Sequence, residues 1–421
     1  MSVTISVVIL LVLNVGLIWF FLAAPVGVRT VRLSRLLPQA PADVWPAVNP
    51  FGPKADWHHA VISSRPVAEN RVEQAFVHLD RKGEPIRRIF EIDALQSDPP
   101  AHFGYEAKIV EDSALDGSFW KDYHETRALS ATEGGTVLTI EQTDRYKGAA
   151  FLIFRYFSLR REVKALEGWL KTGVSQPNGI FEHPAMQVAL AVLSTLILWP
   201  FFGLSVYGLA LSTLLTVIIV LHELGHMAAY RAFGHRKVRM IFIPLLGGIA
   251  IGGRPYNSLF EVATCALMGA GMSAFLVPVA IGLHEIAEAL PGFHLVESGS
   301  LVFLLVLGAF NLLNLLPMSR FDGGQVLRQV VTTKNGLIAG SFSVTLAILW
   351  VGWRIGVPSM ALIAGLAVFT VLSLISMGSV KPRHKLDAIS GSQRLLVGVG
   401  LYAALLLHGY AIIYACDRLF R

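Results

Sequence analysis

The chain has 421 residues, of which 54% are hydrophobic and 15% are charged, and its formal net charge is +6. Soluble domains carry about 25% charged residues, so the composition excludes an all-soluble protein and predicts a membrane protein with a soluble part. Nucleic-acid binding is not expected, because no basic stripe with interleaved aromatic residues occurs, and two cysteines, Cys265 and Cys416, exclude a disulfide framework or a cysteine-based zinc ribbon.

The first predicted element is a membrane anchor within residues 1–27, since residues 5–24 form an apolar run long enough to span a bilayer. A cleaved signal peptide is the alternative, but it would begin with basic residues, and "MSVT" has none. Arg29, Arg32 and Arg35 follow the run. They predict an N-terminus outside the cell and a cytoplasmic position for the domain that comes next.

Residues 30–180 regain charge, proline and alternating apolar patterns, which predicts a soluble α+β domain. "PADVWPAVN" predicts a short helix, "PIRRIFEIDAL" and "GTVLTIEQT" predict strands, and "AAFLIFRYFSLRREVKALEGWLKTG" predicts a long final helix. With "ADWHHAVISS" after the first helix, this order resembles the START-like (polyketide-cyclase and Bet-v-type) helix-grip family. The resemblance implies a curved sheet and a long helix around a cavity for a small apolar ligand or lipid. Trp57, His58 and His59 are candidate ligand contacts, with ordinary surface or pocket positions as the alternative.

From about residue 185 onward the chain is again apolar and predicts seven further spans, which with the anchor make about eight. They lie near 186–206, 208–229, 258–282, 298–317, 337–356, 360–379 and 394–415. The basic stretches "RAFGHRKVR", "SRFDGGQVLRQVVTTK" and "KPRHK" then all face the cytoplasm, whereas "HEIAEALPGFHLVES" between two spans has neither lysine nor arginine. Residues 185–330 are predicted to form the functional core, and residues 331–421 to form additional transmembrane helices.

The stretch "RKVRMIFIPLLGGIAIGGRP" (236–255) fits no helix, because it combines β-branched residues, paired glycines and a proline. It predicts a β-hairpin that is buried in protein or lines a cavity, since exposed strand edges cannot face lipid. The hairpin directly follows the span that ends in "LHELGH".

His222, Glu223 and His226 are the three ionisable residues of "LHELGH". The histidines are four residues apart, so both imidazoles can reach one ion from the same helix face, and the glutamate can address a water there. H-E-x-x-H on a helix is typical of zinc peptidases; a polar cluster that snorkels at the helix end is the alternative. A catalytic zinc site takes a third protein ligand. Asp322 in "FDGG" is the candidate, held at the end of a later span, although "FDGG" alone would indicate a plain turn.

These two segments together resemble the site-2 protease family of intramembrane zinc metalloproteases, which pairs an HExxH span with a later N-x-x-P-x-x-x-x-D-G segment. The matching residues are His222, Glu223, His226, Asn314, Pro317, Asp322 and Gly323. The resemblance covers about residues 185–325. It implies a zinc ion held by the two histidines and the aspartate, with the glutamate as general base and Asn314 beside the substrate. Phe321 stands where the family commonly has leucine, and "LMGAGMSAF" lacks the family's proline, which leaves substrate preference and local helix shape open.

The predicted function is therefore zinc-dependent peptide-bond hydrolysis of a membrane protein substrate within the lipid bilayer, as in regulated intramembrane proteolysis, gated by a ligand of the START-like domain. The predicted location is a bacterial inner membrane. A proteolytically inactive lipid-binding or signalling protein on a peptidase scaffold is the alternative, which the intact set of His, Glu, His and Asp disfavours. A zinc transporter would carry such residues in more than two spans.

Overall fold

The computed structural model describes residues 16, 19–20, 23–94, 99, 101–174, 184–243, 247–318, 321–374 and 385–420. Contacts divide the chain into two compact units. The first comprises Met1–Asn178 and Ile375–Lys385, and the second comprises Gly179–Leu374 and Leu386–Arg421. Most of the predicted anchor, residues 5–24, lies outside the described residues, so the anchor stays a prediction.

The first unit is an antiparallel sheet with a short helix near its start and a long helix at its end. Its elements are β1 (Pro25–Leu37), α1 (Pro41–Val48), β2 (Val61–Ala68), β3 (Arg71–Leu79), β4 (Pro85–Ala94), β5 (His102–Asp112), β6 (His124–Thr132), β7 (Gly135–Lys147) and α2 (Ala149–Thr172). The seven strands described pair in the order β1-β7-β6-β5-β4-β3-β2. The predicted order of short helix, strands and long final helix is confirmed, and this architecture fits a START-like fold.

Helix α2 covers the sheet because one of its faces is apolar. Leu159, Val163 and Leu166 recur at spacings of four and three residues, and all three are buried against Leu129 and Leu138 of the sheet. The helix ends where Gly173 adopts a left-handed conformation at φ 66°, which other residues rarely adopt. The core of the first unit therefore lies between α2 and the sheet.

The three arginines after the predicted anchor belong to a strand. Strand β1 begins at Pro25, before the predicted anchor ends, and includes Arg29, Arg32 and Arg35. Arg32 is paired with Glu141, and Arg35 with Glu167. The membrane orientation that these arginines predict stays a prediction.

A buried polar cluster interrupts the apolar core of the first unit. Arg127 contacts the carboxylates of Glu125 and Glu162, and Glu125 also accepts hydrogen bonds from Gln142 and Tyr123. Burial raises the pKa of Glu125, but Arg127 and the hydrogen bonds outweigh that effect and hold the pKa below its ordinary value. The interior of this unit therefore contains a hydrogen-bonded charged cluster beside its apolar core. The ligand cavity stays a prediction.

The second unit is mostly helical. Its elements are α3 (Pro184–Leu198), α4 (Val206–Ala232), β8 (Arg239–Ile243), β9 (Gly247–Ile251), α5 (Leu259–Ala274), α6 (Leu276–Ala289), α7 (His294–Asn314), α8 (Asp322–Val330), α9 (Lys334–Arg354), α10 (Ser359–Leu374) and α11 (Gly391–Leu419). Six segments among the described residues are long and apolar enough to span a bilayer, with α5 and α6 counted as one. Helix α10 has 16 described residues, and the rest of its predicted span lies outside them. The total of eight spans stays a prediction.

The predicted span 258–282 is longer than expected, because α6 continues it to Ala289 after a break at Phe275. Helix α7 begins at His294, so the predicted connecting stretch 284–298 shortens to four residues, 290–293. Gly292 allows the turn with φ 89°. The stretch was expected to be a loop because it is polar, yet burial of His284 at 2% exposure shows that its first turn packs inside the bundle.

Small residues let the helices of the second unit approach closely, as is common in membrane bundles. A Cβ at Gly225 of α4 would overlap the Met268 carbonyl of α5. A Cβ at Gly308 of α7 would lie 2.7 Å from the His408 carbonyl of α11. Gly225 thus leaves room for the close approach of α5 to α4.

Candidate metal centre

Helix α4 carries the H-E-x-x-H residues close to its C-terminal end. The helix begins where the Ser205 side chain accepts a hydrogen bond from the Gly208 amide, and it continues through an unbroken apolar run. His222 and His226 project from one face, and their Nε2 atoms are 3.1 Å apart. His222 is 2% exposed and Glu223 is 7% exposed, so the whole group is withdrawn from the surface of the second unit.

Asp322 meets both histidines from another part of the chain. Its Oδ2 lies 3.0 Å from Nε2 of His222 and 3.3 Å from Nε2 of His226. The expected position at the end of a span is corrected, because α7 stops at Asn314 and Asp322 is the first residue of α8. Pro317 lies in the connection between these helices.

Two glycines make this turn possible. A Cβ at Gly323 would overlap the Leu315 carbonyl, and a Cβ at Gly324 would overlap the Met318 carbonyl. Helix α8 can therefore begin directly against the turn that follows α7 only with glycine at both positions. The "DGG" sequence brings the carboxylate to the histidines by this close backbone contact, and "FDGG" is a helix start here instead of a plain turn.

The geometry of the three side chains fits a tetrahedral zinc ion. Two ligand atoms about 2.0–2.1 Å from such an ion are about 3.3 Å apart, and the distances here are 3.0, 3.1 and 3.3 Å. In the part of the chain that the structure describes, this is the only group of three or more His, Cys, Asp or Glu side chains arranged to share an ion. A two-histidine, one-carboxylate set also leaves a fourth position open.

Hydrogen bonds to the far ring nitrogens orient both histidines. His222 Nδ1 donates to Oδ1 of Asn311 at 2.8 Å, and His226 Nδ1 donates to the Cys265 carbonyl at 2.6 Å. Two hydrogen bonds hold the Asn311 side chain with its oxygen towards His222. Asn311 Nδ2 donates to the Leu307 carbonyl, and Ser273 Oγ donates to Asn311 Oδ1. With both Nδ1 atoms protonated, both Nε2 lone pairs face Asp322.

Gly269 of α5 closes one side of this site. A Cβ at that position would lie 2.5 Å from Nε2 of both His222 and His226. Any side chain here would occupy the space beside the two nitrogen atoms that face Asp322. Glycine therefore keeps that space open, as an ion between the three side chains requires.

The β-hairpin lies against Glu223. Strands β8 and β9 pair antiparallel with Met240 opposite Ala250, and the Ala250 amide donates to Oε2 of Glu223 at 2.8 Å. A Cβ at Gly248 would overlap Cγ of Glu223, so glycine lets the β9 backbone cross the glutamate directly. The hairpin thereby orients the Glu223 carboxylate through Oε2. The other oxygen, Oε1, does not accept this hydrogen bond.

Sequence reasoning missed several residues that shape the site: Cys265 through its carbonyl, Gly269, Ser273 and Asn311. Asn311 stands three residues before Asn314 in "FNLLN", so a helical periodicity argument could have included it. Asn314 itself is half-buried and donates from Nδ2 to the Phe310 carbonyl of its own helix. Its role beside a substrate stays a prediction.

The other sequence candidates, Trp57, His58 and His59, belong to the first unit. Trp57 is buried and its ring centre is 6.3 Å from that of Trp169. His58 Nδ1 accepts a hydrogen bond from the Ala60 amide. Burial and the neighbouring side chains, chiefly His59, lower the pKa of His58 to about 4, so its ring is neutral near pH 7.

Comparison with known proteins agrees with this chemistry. No family model matches the chain. It is 28% identical over 170 residues to the zinc metalloprotease MJ0392 of Methanocaldococcus jannaschii, which covers 38% of this chain and 47% of that protein. It is 32% identical over 132 residues to the putative zinc metalloprotease sll0528 of Synechocystis sp., which covers 31% of this chain and 34% of that protein. The chain thus spans less than half of the length of these relatives.

Solved structures with detectable similarity include Ara h 8.0201, with 20% identity and a TM-score of 0.27 over 35% of this chain and 99% of that one. A START superfamily protein from Mycobacterium smegmatis has 11% identity and a TM-score of 0.26, over 34% of this chain and 97% of that one. The resemblance to zinc metalloproteases is confirmed: this chain is similar in sequence to two proteins of that name, and its second unit brings together two histidines and an aspartate that fit zinc.

Proposed function

We propose that the chain is an intramembrane zinc metalloprotease of the site-2 protease type, with His222, His226 and Asp322 as the zinc ligands. The observation that carries the proposal is their convergence, with both histidine Nδ1 atoms bonded away from the centre and Glu223 alongside. The two histidines and Glu223 lie in a helix apolar enough to span a bilayer. Ionisable residues in such helices are costly and usually functional. The names of the two curated relatives support the same reaction class.

The substrate in this proposal is a transmembrane or membrane-associated protein. Zinc, when bound, supplies the Lewis acidity that polarises a peptide carbonyl and lets water attack near neutral pH. Glu223 takes one proton from the attacking water on its free carboxylate oxygen and delivers it to the leaving nitrogen, so the peptide bond is replaced by a carboxyl group and an amine. Asn311 and the Cys265 carbonyl keep both histidine rings in the orientation that this requires.

A transmembrane helix has its peptide groups hydrogen-bonded, so the substrate must unwind before cleavage. In the proposed mechanism the unwound segment adds as a strand to the β8–β9 hairpin, because main-chain hydrogen bonds there replace those lost in the helix. Asn314 is proposed to lie near this segment. The hairpin's proximity to Glu223 supports this placement.

Regulation is proposed to come from the first unit, through a small apolar ligand or lipid that gates access to the zinc site.

The proposed location is a bacterial inner membrane with the N-terminus outside and the active-site mouth cytoplasmic. Labelling tests the orientation: Pro291→Cys in a chain whose Cys265 and Cys416 are alanine should react with an impermeant thiol reagent added outside the cell. Reaction only after the membrane is opened would contradict the orientation and leave the chemistry untouched.

The decisive experiment measures zinc content and cleavage together. Purified wild-type chain and Glu223→Gln should both bind one zinc ion, and only the wild type should cleave a model transmembrane substrate, because glutamine cannot accept the proton. Absence of zinc from the wild type, or equal cleavage by both proteins, would overturn the proposal. Zinc binding without cleavage across a broad panel of substrates would favour the inactive-scaffold alternative.

A further inference from the structure

A second buried charged cluster, which the proposed reaction does not use, lies at the base of the hairpin. Glu261 of α5 is 1% exposed, and its Oε1 is 2.6 Å from His235 Nε2 and 3.2 Å from a terminal nitrogen of Arg254. Its Oε2 accepts from the Asn257 amide at 2.7 Å. A buried carboxylate is costly unless it is paired and fully hydrogen-bonded. Glu261 meets that requirement with three donors from two segments, one before the hairpin and one after it.

The positions of two donors are informative. His235 lies between α4 and the start of β8, and Arg254 follows the end of β9, so Glu261 joins the two ends of the hairpin. The backbone is compact at the same place, since a Cβ at Gly253 would lie 2.8 Å from the Lys237 amide nitrogen and one at Gly252 would overlap His235 Nδ1. The arrangement fixes where the hairpin leaves and re-enters the helical bundle.

Helix α5 connects this cluster to the zinc site through residues four apart on one face. Glu261 holds the hairpin, the Cys265 carbonyl accepts from His226, Gly269 lies against both Nε2 atoms, and Ser273 donates to Asn311. Residues at this spacing lie above one another along a helix. The same face therefore sets the position of the histidines and of the hairpin.

The hairpin in turn sets the position of Glu223. Ala250 N–H points away from β8, because it donates to Glu223, which lies on the outer side of β9. A shift of the hairpin by about 1 Å would break this hydrogen bond and leave the carboxylate free to take other rotamers.

We propose that Glu261 is a positioning residue that clamps both ends of the β8–β9 hairpin and thereby holds the Ala250 amide on the Glu223 carboxylate. The expected effect on cleavage rests on the proposed function. The expected effect on hairpin structure does not, since it follows from the contacts alone.

The test compares Glu261→Gln with Glu285→Gln in the full-length chain. Glu285 is the control for loss of a carboxylate that pairs with an arginine, because it accepts from Arg418 and Tyr414 between α6 and α11. Hydrogen–deuterium exchange of peptides that cover the hairpin should accelerate about tenfold in Glu261→Gln and stay unchanged in Glu285→Gln. Exchange in the middle of α4 and the zinc content should match the wild type in both variants.

Two further measurements separate positioning from general loosening. Glu223→Ala should also accelerate exchange at the Ala250 amide, whereas Glu223→Gln, which keeps an acceptor oxygen, should not. With a cleaved substrate, Glu261→Gln should lower kcat about tenfold or more through the misplaced glutamate, with a smaller change in KM.

An unchanged hydrogen–deuterium exchange rate of the hairpin in Glu261→Gln would overturn the proposed role of Glu261. Equal acceleration of hairpin exchange in the Glu285→Gln control, or equal acceleration in α4, would also overturn it. If Glu261→Gln does not fold, His235→Gln, which removes one of the three contacts, is measured in the same way and decides by the same criteria. A chain that binds no zinc and cleaves nothing, yet shows the exchange pattern expected, would refute the proposed function and leave the clamp standing.

Discussion

Replacing Asn311 by alanine should weaken zinc binding although Asn311 is not proposed to touch the metal. The side chain is fully buried, and its Oδ1 accepts from His222 Nδ1 and Ser273 Oγ while its Nδ2 donates to the Leu307 carbonyl. After substitution, Ser273 keeps its hydrogen bond to the Gly269 carbonyl. The His222 N–H is the donor left buried without a partner.

The magnitude follows from that one unsatisfied group. A buried unsatisfied donor costs about 1–3 kcal/mol, and loss of a hydrogen-bond partner of a metal-binding histidine typically lowers metal affinity by about 10–100-fold. The two figures agree, because each tenfold change in affinity corresponds to about 1.4 kcal/mol. We therefore expect the Kd of the Asn311→Ala variant for zinc to rise by about 10–100-fold.

The assay is a titration of the detergent-solubilised chain with zinc in competition with a chelator of known affinity. Asn314→Ala is the matched control, since it removes the same side chain three residues further along α7. Its amide donates to the helix's own Phe310 carbonyl, so its zinc affinity should equal that of the wild type. Equal affinities of Asn311→Ala and wild type would refute this account of how His222 is oriented, and so would equal weakening in the control.

Three further predictions follow from the packing and charges. Gly269→Ala should lose zinc while keeping its helix content by circular dichroism, because the new methyl group would enter the space between the histidine nitrogens; one bound zinc per chain would contradict this. Gly225→Leu should lower the thermal unfolding midpoint by forcing α4 away from the Met268 carbonyl, at a cost of about 1–3 kcal/mol, and an unchanged midpoint would count against the close approach. Glu125→Gln should destabilise the first unit near pH 7, because Arg127 loses one of its two carboxylate partners and the folded pKa of Glu125 is depressed. The stability that the Glu125 carboxylate contributes is present above its unfolded pKa and is lost as the pH falls through its folded pKa. The rates of hydrogen exchange of β6 in variant and wild type should therefore converge in acid. A difference between the two rates that grows in acid would contradict this prediction.

The corrections to the sequence reasoning have a common cause, which is that composition cannot show what a segment packs against. The stretch 284–298 was expected to be a loop between two spans, but His284 is buried, and the loop shrinks to 290–293. Asp322 was expected at the end of a span, and it is the first residue of α8. In both cases the element boundaries depend on contacts that the local pattern does not contain.

The sequence by itself determined the elements with strong periodicity, such as the long helix α2 and the apolar helices of the second unit, because period and length are local properties of the chain. It also determined that His222 and His226 share a helix face, since four residues make about one turn. Only the tertiary structure decided that Asp322 reaches both histidines across 100 residues of chain, since that contact depends on the glycines that let α8 begin against the turn after α7. The roles of Asn311 and Glu261 were likewise invisible in sequence, because a hydrogen bond between distant segments leaves no periodic trace in either of them.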